Sequence, residues 1–285
     1  MADSISGLDI PRHPRRRALI VPREHGAWGI LLVPLVTGAA VGLLAGGSVG
    51  PVLLFAVGVI ALFWLRTPVE SWLGTGAVRA QTSQERQLVL TAIVPLATVA
   101  IVSLSALLWQ EENHELLWLG TIASVLFAAQ LSLKRTGRTT RMAAQVAGAL
   151  GLTLTAPGAY YLVTGRLEAT AWALWLVNFL FAGSQIHFVW LRIRAARAAD
   201  RSEKLTAGWS FLVGKILLAV ILGLAYYFGL LPQFALVAFA PIVFRGVLWF
   251  FQRHRPLAIR RLGWTELAHA VGFGVLLTFG FSIAK

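Results

Sequence analysis

Residues Pro22–Gly38 read PREHGAWGILLVPLVTG, and the fold class follows from this stretch. An Arg, a Glu, a His and a Trp stand at the doorway of a long apolar run. Pro34 interrupts that run, and Gly38, Gly42 and Gly46 punctuate it. About 20 consecutive apolar residues is the helical length that crosses the hydrocarbon core of a bilayer. Eight more runs of that kind follow. The nine expected spans cover residues 26–46, 51–73, 87–108, 115–133, 142–163, 169–191, 208–228, 232–251 and 263–283.

Composition agrees with this reading. Of the 285 residues 57% are hydrophobic and 13% charged, and the mean hydropathy is +0.72. A soluble domain of this size needs far more polar surface, so the chain reads as a bilayer protein. Arg15, Arg16 and Arg17 before an apolar run imitate a signal peptide. With eight further apolar segments behind it, the first run reads as a retained span. No soluble domain fits between the spans. The expected organisation is a basic tail, residues 1–24, and a single nine-helix transmembrane domain, residues 25–285. With no cysteine there is no disulfide framework, thiolate metal site or cysteine nucleophile.

Lys and Arg set the expected orientation. Arg12, Arg15, Arg16, Arg17 and Arg23 precede span 1. Arg79 and Arg86 join spans 2 and 3, and Lys134, Arg135, Arg138 and Arg141 join spans 4 and 5. Arg192, Arg194, Arg197, Arg201 and Lys204 follow span 6, and Arg253, Arg255, Arg260 and Arg261 precede span 9. Twenty of the 25 basic residues thus fall on one side, while the 3–4 connection opposite carries Glu111, Glu112 and Glu115. Short basic loops stay in the cytoplasm, so the N-terminus is expected inside and the C-terminus outside. The formal charge of +13 then reflects topology and attraction to anionic membrane lipids. No nucleic-acid partner is expected. Trp28, Trp72, Trp109, Trp118, Trp172, Trp190, Trp209, Trp249 and Trp264 lie near span ends, where indoles favour the headgroup layer.

Within the spans, Gly38, Gly42 and Gly46 form a strip without side chains, on which a partner helix can pack closely. Pro95, Pro157 and Pro241 are expected to kink spans 3, 5 and 8. The ionisable residues carry the functional signal. Arg66 and Glu70 stand one turn apart near the end of span 2, spaced for an i, i+4 pair. Gln185 and His187 end span 6, Glu266 and His269 open span 9, and Glu24 and His25 open span 1. All fall in the half-membrane next to the basic loops, and Asn178 alone lies deeper. Such asymmetry points to a polar cavity facing the cytoplasm. Lys215 and Arg245 read as side chains that snorkel to the interface. Packing accounts for the prolines and glycines, and single histidines inside a bundle are commonly hydrogen-bonded core residues. There is no HxxxH or HExxH pair, and Glu266-x-x-His269 is one copy where a di-iron bundle uses two. No metal or other cofactor is expected.

The motif PREHGAWGILLVPLVTG resembles the signature of the YwiC-like family of bacterial integral membrane proteins, which has no established activity. RTPVESWL (Arg66–Leu73) is similar to that family's second landmark. The resemblance implies a multi-pass protein of a bacterial cytoplasmic (inner) membrane. A more distant likeness is to the UbiA superfamily of intramembrane prenyltransferases, which have nine helices, an inside N-terminus and active-site loops after spans 2 and 6. That chemistry uses two Asp-rich motifs to hold Mg²⁺ against a departing pyrophosphate. Here RTPVESWL carries only Glu70, and SQIHFVWLRIR (Ser184–Arg194) carries no acid. The likeness therefore implies a UbiA-like all-α bundle with a degenerate site and no Mg²⁺–pyrophosphate chemistry.

In this reading the site binds an amphipathic isoprenoid or lipid-like ligand. Arg66, Arg192 and Arg194 hold an anionic group, and Glu70 orients Arg66. His187 is the proton-transfer candidate, because imidazole titrates near neutrality. His25, Gln185, Glu266 and His269 complete the lining. The residues leave open whether the protein is an enzyme. A transporter or permease, and an accessory protein of a membrane complex packed through its glycine strip, are the competing classes.

Overall fold

The computed structural model describes residues 12–22, 25–109, 114–137, 139–196, 198, 200–252 and 258–283. Among these residues the structure is all helical: α1 (Arg12–Ile20), α2 (His25–Leu44), α3 (Gly50–Leu73), α4 (Ser83–Leu108), α5 (Glu115–Thr136), α6 (Arg141–Thr153), α7 (Thr155–Thr164), α8 (Ala169–Arg194), α9 (Arg201–Tyr227), α10 (Gln233–Val237), α11 (Ala240–Phe251) and α12 (Ile259–Ile283). Nine helical segments among the described residues are long and apolar enough to cross a membrane, the number expected. The chain is a multi-pass membrane protein.

Two of the nine crossings are broken, both at prolines. The crossing from Arg141 to Thr164 is α6 and α7 joined at Leu154, and that from Gln233 to Phe251 is α10 and α11 joined at Ala238–Phe239. Pro157 and Pro241 lie in the first turns of α7 and α11, where a backbone N–H has no intrahelical partner to lose. Hydroxyls take up carbonyls around the first break. Thr153 Oγ1 donates to Ala149 O at 2.8 Å and Thr155 Oγ1 to Leu31 O at 3.2 Å. Pro95 acts differently, since α4 runs past it as one helix.

The chain divides into two compact units, with boundaries inside α3 and α4. One comprises residues 1–23 and 54–106, the other 24–53 and 107–285. In the first, the expected tail contains α1. Its Leu19 is fully buried and its Ala18 nearly so, while Arg16 and Arg17 are exposed. Trp64 Nε1 donates to Ile20 O at 3.0 Å. Arg15 Nε reaches Glu85 Oε1 at 2.7 Å and Arg15 Nη2 reaches Gln81 Oε1 at 2.9 Å. Glu85 is also half of a capping box. Its backbone N–H donates to Thr82 Oγ1 at 3.1 Å, and its carboxylate accepts from the Gln81 and Thr82 N–H groups at the start of α4. The neighbouring carboxylate holds the Arg15 guanidinium above its ordinary pKa.

In the second unit α2 lies against α7 and α12. The glycine strip is used within the chain: a Cβ at Gly38 would run into the backbone of Ala156, and one at Gly42 would meet Val163. Gly46, with φ +94°, takes the left-handed conformation that follows the end of α2. The core is apolar and aromatic, with Phe181 stacked on Phe273 at 4.0 Å and Phe239 edge-on to Phe273 at 5.2 Å. Asn178, which stood out in sequence as a deep polar residue, spends its amide N–H groups on Thr37 Oγ1 at 3.1 Å and Leu174 O at 2.8 Å. A buried amide with both donors placed is a packing element.

Candidate cation–aromatic site

The basic end of α8, the end of α11 and the starts of α9 and α12 meet within the second unit. Rings form the floor. Phe211 of α9 lies 5.8 Å from Phe188 of α8 and 6.4 Å from Phe250 of α11, and Trp249 is 5.0 Å from Phe250. Glycines admit these rings. A Cβ at Gly208 would stand 2.5 Å from the Phe250 ring, and one at Gly246 2.8 Å from that of Phe211. A Cβ at Gly214 would stand 3.0 Å from Nδ1 of His187.

Cations sit over the rings. The Arg245 guanidinium carbon is 4.1 Å from the Phe188 centroid, and that of Arg192 is 6.0 Å from both Phe188 and Trp249. Lys215 Nζ is 4.7 Å from Phe211 and Lys204 Nζ 5.2 Å from Trp249. Each of these placements favours the cation electrostatically, more so away from water. His187 meets the same Phe211 ring edge-on at 5.4 Å.

One carboxylate enters the group. Glu266 of α12 grips Arg245 in a two-pronged pair, Nη1 to Oε1 at 2.5 Å and Nη2 to Oε2 at 3.1 Å. The Glu266 side chain is 5% exposed and that of Arg245 17%, so the pair is shielded from water. Gln185 Nε2 donates to the backbone carbonyl of Glu266 at 2.7 Å, which ties α8 to α12 at the residue that supplies the charge. His269, one turn on, donates from Nδ1 to Thr265 O at 2.6 Å. That bond leaves the lone pair of the neutral ring on Nε2, so the 3.4 Å approach of Arg245 Nη1 to Nδ1 is a packing contact. Lys215 donates to the Ser184 hydroxyl.

These contacts correct four readings of the sequence. Arg245 and Lys215 do not snorkel free: one is paired across two helices and the other bonded to Ser184. Lys204, placed with the loop charges, is 4% exposed and donates to Gln252 O at 2.5 Å. Trp249 is 7% exposed and belongs to the ring floor instead of the interfacial belt, where Trp72, Trp109, Trp118, Trp209 and Trp264 are indeed exposed. Asp200 is an N-cap, accepting from Glu203 N at 2.7 Å.

The other expected site residues divide as follows. Gln185, His187, Arg192, Glu266 and His269 all belong to this group of helix ends. Arg194 is exposed at the end of α8. Arg66 and Glu70 belong to the first unit and form the i, i+4 pair, Nε to Oε1 at 2.8 Å. The Glu70 carbonyl accepts from the N–H groups of Thr75 and Gly76 at 3.0 Å each, closing the end of α3. His25 begins α2, but its side chain and Glu24 lie outside the described residues. Among the described residues no group of three or more His, Asp or Glu side chains is placed to hold a metal ion. The ring seats at Gly208, Gly214 and Gly246 escaped sequence reading, although two of them share α9 with Lys215.

Residues 21–160 match the protein family described as YwiC-like protein. That segment, which contains both the HGAW opening and RTPVESWL, is similar to the YwiC-like family. The match ends before the cation–aromatic group. No curated protein and no solved structure matches the chain.

Proposed function

We propose that this protein binds an amphipathic anion, an isoprenoid or similar lipid, at the cytoplasmic ends of α8, α9, α11 and α12. One observation carries the reading: Arg192, Lys215 and Arg245 gather over a floor of Phe188, Phe211 and Trp249, with Glu266 the carboxylate among them. Guanidinium groups fixed on aromatic faces are suited to a carboxylate or phosphate headgroup. The exposed apolar helix flanks beside them would take the tail.

In this proposal the bundle is a UbiA-like fold whose Asp-rich motifs have given way to Arg, His and Gln, with the arginine-rich ends in the cytoplasm. His187 is the proton carrier if the bound molecule reacts. Arg66 with Glu70, Arg194 and His25 are further ligand contacts to be tested one by one. The absence of native cysteine makes the orientation simple to map by single introduced cysteines and an impermeant maleimide. A cysteine near Arg201 should be labelled from the cytoplasmic side only.

Native mass spectrometry of the protein in mild detergent tests the binding reading. A prenyl lipid should co-purify, and should be lost from Arg192→Ala and His187→Ala variants that still insert. Retention by both variants would remove these residues from the site. A stoichiometric protein partner in place of lipid would move the assignment to an accessory role in a complex.

A further inference from the structure

Lys215 of α9 is bonded to a hydroxyl, that of Ser184 on the facing helix α8. Serine and lysine in that relation are the parts of an acyl-transfer dyad, in which the amine takes the hydroxyl proton as the oxygen attacks a carbonyl. The surroundings hold the lysine in place. Phe211, one turn back on α9, has its ring centroid 4.7 Å from Nζ. Gly246 of α11 lies beside the aliphatic chain, where a Cβ would stand 3.7 Å from Lys215 Cε. Both oxygens of Glu266 are bonded to Arg245, not to Lys215. His187, one turn beyond Ser184, turns its ring to Phe211 and Gly214 instead.

The hydroxyl is approachable. Ser184 is half-buried, and a Cβ on Gly183 beside it would meet no atom within 4 Å. Val213, Ile216 and Leu217, which flank Lys215 on α9, are exposed and offer an apolar chain a surface. Acyl transfer needs one more part, a donor for the carbonyl oxygen as it becomes an anion. Arg245, next to Gly246, has a buried Nε–H with no acceptor among the described residues. Folded proteins rarely keep such a donor without a use for it.

We propose that Ser184 is a nucleophile with Lys215 as its general base, and that together they hydrolyse a lipid ester with an apolar acyl chain. In the first step Ser184 Oγ bonds to the carbonyl carbon and its proton passes to the Lys215 amine. The carbonyl oxygen takes the displaced electron pair and is met by Arg245 Nε–H. The ester C–O bond then breaks, and the leaving alkoxide takes the proton from Lys215 and departs as an alcohol. In the second step water attacks the acyl-serine. Its proton passes through Lys215 to Ser184 Oγ as the carboxylic acid is released. The proposal rests on the amphiphile reading above only for the apolar half of its substrate.

The test uses the whole protein in an alkyl maltoside detergent and a long-chain alkyl fluorophosphonate, from which a serine oxygen displaces fluoride at phosphorus. Peptide mass spectrometry should place the adduct on Ser184, and Ser184→Ala should remove it. Lys215→Arg keeps a cation beside the hydroxyl but cannot accept a proton, so labelling of Ser184 should slow about 100-fold or more. Lys215→Met should slow it as much, and melting curves show which variants are folded. Lys215→Arg carries the test by itself if Lys215→Met does not fold. An adduct on Ser184 that needs Lys215 supports the dyad. No adduct on Ser184, or labelling at the parental rate in folded Lys215→Arg, overturns it. Prenyl lipid that still co-purifies would then leave the amphiphile reading standing, whereas Lys215-dependent labelling of a protein that carries no lipid would keep the dyad and remove that reading.

Discussion

Each unit of this protein holds an arginine–glutamate pair in a membrane helix, and the two are built differently. Arg66 and Glu70 are one turn apart on α3, joined by one bond at 2.8 Å. The helix itself delivers the partner, so the pairing is set by spacing along one helix. Arg245 and Glu266 come from α11 and α12, joined by two bonds, with further cations and rings around them. That pair exists only if α11 and α12 meet. A local pair makes an arginine tolerable inside a bilayer, whereas an assembled pair inside a cationic group marks a place where charge has been collected.

The sharpest way to break this contrast is Glu266→Ala, which strands the Arg245 guanidinium. Removing one partner of a buried pair costs about 3–5 kcal/mol. The detergent-solubilised protein should lose much of its thermal stability in a melting assay, and Arg245→Met combined with Glu266→Met should recover most of the loss. If Glu266→Ala melts like the parent, the pair is not shielded as described. Next in size is Gly208→Ala, which drives a methyl group into the Phe250 ring; overpacking of this kind costs about 1–3 kcal/mol. Its melting point should fall, and less prenyl lipid should co-purify as the ring floor shifts.

Glu70→Ala should cost less than Glu266→Ala, about 1–3 kcal/mol, because Arg66 can extend toward the interface once released, although this pair is buried too, with side chains 17% and 10% exposed. A loss as large as that of Glu266→Ala would erase the distinction between local and assembled pairs. The smallest effect is expected from Arg15→Ala. Its bond to Glu85 is partly open to water and screened by salt, so the melting temperature should hold while limited proteolysis of the α1 segment speeds up.

The parts of this molecule legible in sequence were those written in short spacings. Nine apolar runs with alternating basic loops announced the crossings. The i, i+4 spacing of Arg66 and Glu70 announced their pair, and the i, i+3 spacing of Glu266 and His269 put both on one helix face. Arg245 could not be read that way. Its partner lies on another helix, 21 residues along the chain, and an isolated arginine two turns from a helix end looks the same whether it snorkels or pairs. Trp249 was misplaced for a similar reason, since a tryptophan near a span end suits both a headgroup layer and a ring cluster. The glycine seats under the rings depend on which helices cross where, and no one-dimensional spacing records that. The family match, confined to residues 21–160, could not supply the missing contacts either.

The bond from Gln185 to the backbone carbonyl of Glu266 has a consequence for motion. A side-chain hydrogen bond to a neighbour would let α12 turn about its own axis as rotamers adjust. A bond to the main chain at that very residue does not, because the carbonyl rotates rigidly with the helix. If a greasy tail is to slip between these helices, α12 is barred from spinning its acid out of register.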